Sequence, residues 1–120
     1  MLVQLEDDIQ TLLELSRRIN SKTISLIRCL ILALLSHFVG GLQYREMKAA
    51  LKISDGKLVS NLDRLEEMRY IRKIETKLER RKLTVYLLTD EGKKEVDKIT
   101  KWMKLAQRVA EIGDKECQAS

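Results

Sequence analysis

The chain has no proline and only five glycines in 120 residues. With so few residues that break or reverse a backbone, helices are favoured and a loop-rich or sandwich fold is excluded. Aromatic residues are nearly as scarce: one Phe, one Trp and three Tyr, none clustered on a strand. That leaves no stacking platform for RNA or single-stranded bases. The only histidine, His37, has no partner at metal-ligand spacing, and the two cysteines, Cys29 and Cys117, are far apart. Neither a metal site nor a histidine-activated nucleophile is expected from them. Cys29 reads as a buried small hydrophobe, Cys117 as a free thiol, and the pair fits a reducing, cytoplasmic setting. There is no glycine-rich phosphate loop, and the carboxylate pairs Asp7-Asp8 and Glu66-Glu67 are adjacent on helices, so their side chains diverge. An enzyme is therefore not expected, and no cofactor is implied. The longest uninterrupted apolar run, Cys29 to Leu35, is too short to cross a bilayer. Acids at Glu6, Asp7 and Asp8 also argue against a secretory leader.

The chain is rich in charge: 34% of residues are charged and the net charge is +5. A hydrophobic fraction of 44% is enough for one domain with its own core. The positive charge is concentrated. Arg69, Arg72, Lys73, Lys77, Arg80, Arg81 and Lys82 face only Glu75 and Glu79 in the same stretch, whereas acids and bases cancel over residues 1 to 40. Such focusing points to an anionic partner.

Hydrophobic spacing divides the chain into elements. Leu2, Leu5, Ile9, Leu12 and Ile19 recur at intervals of three and four, with Ser16 in one slot, as in a helix that packs on another helix. Ser21 can cap a second helix, Lys22 to Phe38, which is apolar nearly all round and reads as central; Gly40-Gly41 stops it. A brief extended piece at Leu42 to Tyr44 precedes a short helix, Glu46 to Leu51. After a tight turn, Ser54 caps a longer helix with Leu58, Leu62 and Leu65 on one face, Val59 and Met68 widening it, and Lys57, Ser60, Asn61 and Arg64 opposite. Short helix, turn and long helix form a helix-turn-helix, whose second helix can enter the DNA major groove.

From Tyr70 the period becomes two, giving strands at Ile71 to Thr76 and Leu83 to Leu88 around a charged tip, Lys77 to Lys82. A basic hairpin placed there looks like a DNA-binding wing, although cations also blunt sheet edges. Thr89 caps a last helix with Val96, Ile99, Met103, Ala106 and Ala110 at helical spacing and Trp102 alongside. Gly113 is expected to end it, leaving 114 to 120 as a flexible tail.

This order of elements resembles winged-helix transcriptional regulators of the MarR, PadR and small archaeal single-domain type. The resemblance is carried by Ile53-Ser54-Asp55-Gly56-Lys57-Leu58, by Leu65-Glu66-Glu67-Met68-Arg69-Tyr70-Ile71 and by Tyr86-Leu87-Leu88-Thr89-Asp90-Glu91-Gly92, over residues 27 to 95. The sequence departs from it at Lys52 and Arg69, where the family has glycine in a left-handed conformation. It departs again at Arg45, in place of a serine or threonine cap. The resemblance implies a mostly α fold with a small β-hairpin (α+β): a winged helix-turn-helix, 21–92, flanked by dimerisation helices, 1–20 and 93–113. It implies a homodimeric, sequence-specific regulator of double-stranded DNA. Lys57, Ser60, Asn61 and Arg64 would read the major groove. Arg80, Arg81 and Lys82 on the wing would reach the minor groove or backbone, with Arg45, Lys52 and Lys77 as further backbone contacts. Leu5, Ile9, Leu12, Ile99, Trp102, Met103 and Ala106 would form the dimer interface. The alternative is a winged-helix protein-interaction module of a transcription or DNA-processing assembly. No small-molecule effector is legible.

Overall fold

The computed structural model describes residues 2–23 and 25–119, with side chains from 3 to 111. Its elements in chain order are α1 (Leu2–Arg18), a single 3-10 turn (Ser21–Thr23), α2 (Leu26–His37), β1 (Leu42–Gln43), α3 (Tyr44–Leu51), α4 (Asp55–Glu67), β2 (Ile71–Leu78), β3 (Arg81–Leu88) and α5 (Asp90–Ala119). The chain forms two compact units, residues 21–96 and residues 1–20 with 97–120.

In the first unit the strands form an antiparallel sheet in the order β1-β3-β2. Leu42 lies opposite Tyr86 on one side of β3, and Lys73 lies opposite the same residue on the other. The core is built from one face of each helix: Ile31, Leu32 and Leu35 of α2, Met47 of α3, and Leu58, Leu62 and Leu65 of α4, closed by Leu42, Ile71 and Tyr86 of the sheet. Each buried aliphatic side chain contributes about 1.5 to 3 kcal/mol. The hydrophobic spacing in α4 therefore fixes which side of that helix remains for a partner.

Several boundaries differ from the sequence pattern. The second helix begins at Leu26 with Ser25 as its N-cap, because Ser21 to Thr23 close a separate 3-10 turn. Nor is α2 buried all round: Leu26 is 90% exposed and Leu30 50%. Spacing of four and three puts both on the face shared with exposed Ala33 and His37, opposite the core stripe. Cys29 is accordingly half-buried, its Sγ donating to the Thr23 carbonyl at 3.3 Å, and burial pushes its thiol pKa up. The last helix continues through Gly113 to Ala119. A glycine inside a helix costs only about 1 kcal/mol relative to alanine and stops one only when the chain turns left-handed there. The side chain of Cys117 is outside the described residues.

Buried polar groups in this unit are held. Glu95 is 2% exposed; it accepts from Thr23 Oγ1 at 3.3 Å and from the Tyr70 hydroxyl at 3.1 Å. Gly92 is packed so tightly that a Cβ would lie 2.2 Å from the Tyr70 carbonyl oxygen. Only glycine lets the start of α5 lie against the exit from α4 in this way.

In the second unit, Asp8 is buried, with Oδ1 accepting from Gln4 Nε2 at 3.0 Å and Oδ2 unpartnered among the described residues. Lys98 Nζ donates to the Arg18 carbonyl at 3.5 Å. Large apolar side chains remain exposed here: Val3, Ile9, Leu13, Trp102 and Met103. Among the described residues no helix is long and apolar enough to cross a membrane.

Candidate nucleic-acid interface

The start of α4 is held from three sides. Ser54 Oγ accepts from the Lys57 N–H at 3.3 Å, the expected N-cap. Asp55, in the first turn, accepts from the Tyr44 hydroxyl at 2.6 Å and pairs with Lys48 Nζ at 2.6 Å, both on α3. These donors hold the Asp55 carboxyl below its usual range, and the shared proton pushes Tyr44 up to about 12. Between the helices Lys52 caps α3 with φ 53, a left-handed conformation; Arg69, after α4, has φ 64. The two cations thus occupy the glycine-type conformations anticipated for them, each at a cost of about 1 to 2 kcal/mol.

The start of α3 corrects another expectation. Arg45 is not at the cap: Gln43 is, in a capping box with Glu46, and the helix begins at Tyr44 rather than Glu46. Arg45 Nε instead donates to Gln43 Oε1 at 3.1 Å.

On α4 the buried stripe is narrower than its hydrophobicity suggests, since Val59 is 44% exposed. Lys57, Ser60 and Arg64 are exposed on the other side. Asn61 is half-buried, with Oδ1 accepting from Arg28 Nε at 3.0 Å and Nδ2 donating to the Lys57 carbonyl at 2.7 Å. The flank carrying Asp63 and Glu66 faces the sheet, and these acids, after burial, help raise the Tyr86 pKa against the lowering effect of Lys73.

The wing is longer and its tip tighter than the sequence pattern predicts. Strand pairing continues to Leu78 opposite Arg81, so only Glu79 and Arg80 connect the strands, with Glu79 at φ 59. Arg81, Lys82 and Lys77 are therefore strand residues, and Lys77 lies directly opposite Lys82. Like charges facing each other across a ladder are mutually destabilising, a strain that a polyanion would relieve. Among the described residues none of Lys57, Arg64, Lys77, Arg80, Arg81 and Lys82 is engaged in an ion pair.

A groove of about 380 Å³ runs between the start of α3 and β3, lined by Gln43, Tyr44, Arg45, Arg81, Lys82, Leu83 and Thr84. It brings Arg45 together with two wing cations. A smaller cleft, of about 130 Å³, is lined by Lys22, Arg28, Arg64, Glu67 and Met68. Lys22 and Arg28 were not anticipated as site residues. The signal for Arg28 was present, as the one arginine or lysine in an apolar helix.

Residues 27–106 match the family model described as a winged helix DNA-binding domain. The chain belongs to that family. As a winged-helix DNA-binding protein it shares its fold with several solved structures. YusO from Bacillus subtilis is 20% identical, with a TM-score of 0.64 over 99% of this chain and 90% of that one. BpsR from Bordetella bronchiseptica, solved to explain regulation of its DNA binding by 6-hydroxynicotinic acid, is 16% identical, with a TM-score of 0.60 over 98% and 96%. MepR from S. aureus in complex with DNA is 16% identical, with a TM-score of 0.55 over 97% and 89%. No curated protein sequence matches this winged-helix chain.

Proposed function

We propose that the protein is a homodimeric, sequence-specific transcription regulator of double-stranded DNA, with α4 in the major groove and the β2–β3 wing on the minor groove or backbone. The observation that carries this reading is the set of cations on α4 and the wing that make no ion pair among the described residues. Lys57 and Arg64 project from a helix whose opposite face is buried, and Lys77, Arg80, Arg81 and Lys82 gather at the end of the hairpin. Phosphate neutralisation by the wing supplies affinity, while Lys57, Ser60, Asn61 and Arg64 discriminate between base edges. Arg45 and Lys52 add backbone contacts. The exposed Ile9, Trp102 and Met103, with the half-buried Leu5, Leu12, Ile99 and Ala106, are the surface for a second copy. A two-fold dimer then reads an inverted repeat with half-sites about 34 Å apart.

Fluorescence anisotropy of a random-sequence duplex, titrated at two salt concentrations, tests the reading. Tight binding with a steep salt dependence is expected, flattened when Arg80, Arg81 and Lys82 are all changed to alanine. Absence of binding at low salt would overturn it in favour of a protein-interaction module.

A further inference from the structure

Asparagine reads adenine by offering its amide oxygen and nitrogen together. In Asn61 each makes one bond within the chain, the oxygen accepting from Arg28 and the nitrogen donating to the Lys57 carbonyl, which fixes the amide and leaves one lone pair and one N–H for a base. Arg28 comes from α2, outside the helix-turn-helix, and is half-buried on an otherwise apolar helix. A guanidinium in such a place is retained only when its donors are matched. Nε is matched by Asn61, and Nη1 donates to the Lys22 carbonyl. Of the five N–H donors of an arginine, three remain.

The surroundings of Arg28 point to what those donors meet. Its side chain lines the 130 Å³ cleft with Lys22, Arg64, Glu67 and Met68, and neither Arg28 nor Arg64 makes an ion pair among the described residues. Arg64 is one turn beyond Asn61, so the cleft continues the α2-facing flank of α4. The opposite flank, towards the sheet, carries Asp63 and Glu66. Positive charge is thus available beside α4 on the side where the wing is not.

We propose that Arg28 belongs to the DNA interface. It holds Asn61 in one rotamer and, with Arg64, seats a backbone phosphate on the α2 side of the recognition helix. The inference rests on the DNA-binding reading and adds a residue from outside the motif. With the wing anchored on one side and this cleft on the other, α4 is held against rotation in the groove. Arg28 then acts on specificity through Asn61 and on affinity through its own charge.

The two roles separate experimentally. A site is first selected from random duplexes with the parent protein. Affinities of the parent, R28K, R28A and N61A are then measured on the selected and random duplexes over a series of salt concentrations, with a thermal melt of each variant. R28A should weaken binding to both duplexes and reduce the salt slope by about one unit. R28K keeps the charge, yet an ammonium cannot span Asn61 and the Lys22 carbonyl as the guanidinium does. It should retain random-sequence binding and lose about tenfold on the selected site, as N61A does. If R28A does not fold, the R28K split between the two duplexes decides alone. R28K binding both duplexes like the parent, or R28A leaving the salt slope unchanged, overturns the proposal while the parent still binds. A parent that binds no DNA removes the underlying reading and the proposal with it.

Discussion

Tyr44 donates its hydroxyl hydrogen to the Asp55 carboxylate at 2.6 Å, so the first residue of α3 holds the first residue of α4. Together with Lys48 on the same carboxylate, this contact sets how α4 leaves the turn. Its register depends on a charge and a proton, and both can be titrated.

Tyrosinate absorbance should show one tyrosine ionising near pH 12, since Asp55 pushes Tyr44 that high. The sign follows from linkage. A folded tyrosine pKa above the unfolded value of about 10 gives stability that is present below pH 10 and lost as pH rises towards 12. The lowered Asp55 acts at the other end: its contribution is present above the unfolded carboxyl pKa of about 3.9 and lost as pH falls through the folded value. D55N should bring the late tyrosine down, and Y44F should delete that step. A late step that survives Y44F would mean that another tyrosine carries it.

Gly92 and Gly56 should respond oppositely to alanine. At Gly92 a Cβ would meet the Tyr70 carbonyl oxygen at 2.2 Å and Leu88 Cδ1 at 2.6 Å, and the backbone oxygen cannot move aside cheaply. G92A should lose about 1 to 3 kcal/mol, the range for overpacking. Nothing lies within 4 Å of a Cβ at Gly56, in the first turn of α4. G56A should be neutral or gain up to about 1 kcal/mol through helix propensity. Urea denaturation of both variants checks the pair, and equal losses would contradict the packing argument.

Lys52 and Arg69 hold left-handed backbone with side chains that disfavour it. Glycine at either position should raise stability by up to about 1 kcal/mol, the relief of that strain less the extra chain entropy of glycine. If the cations are kept for phosphate, the same substitutions should weaken random-sequence DNA and lower the salt slope. Stabilised variants with unchanged DNA binding would show that surface tolerance alone explains them.

What could be read from sequence was what repeats or lies close together. The Leu58, Leu62, Leu65 stripe, the caps at Ser54 and Thr89 and the existence of both strands follow from local patterns, and the structure bears each out, although burial along the strands does not alternate. Element ends were less legible. Lysine, arginine and glutamate have little strand preference, so only ladder pairing extends β2 and β3 to Leu78 and Arg81. Gln43 outcompetes Arg45 as a cap because Glu46 can return to its N–H, a reciprocal bond no single residue announces. The contacts that shape the candidate interface were least visible. Arg28 and Asn61 are 33 residues apart and Tyr44 and Asp55 are 11 apart, beyond any helical or strand period.

Self-association gives the remaining prediction. On α5, Ile99, Trp102, Met103 and Ala106 fall on one helical face, and Met103 is 58% exposed in the single chain. A second copy covering that face would bury position 103 in an apolar seam. M103E would then place an unpaired carboxylate there from each copy, and the loss of about 3 kcal/mol expected for one uncompensated buried charge sets a lower bound of about a hundredfold on the weakening of the dimer. K104E, one position along and on the opposite face, should leave association unchanged. Sedimentation over a concentration series distinguishes the two variants. Because the residues altered are outside the 21–96 unit, M103E should retain weak, salt-sensitive binding to random DNA while losing preference for an inverted repeat. A parent protein that is monomeric throughout, or an M103E protein that still dimerises, would assign that face to another role.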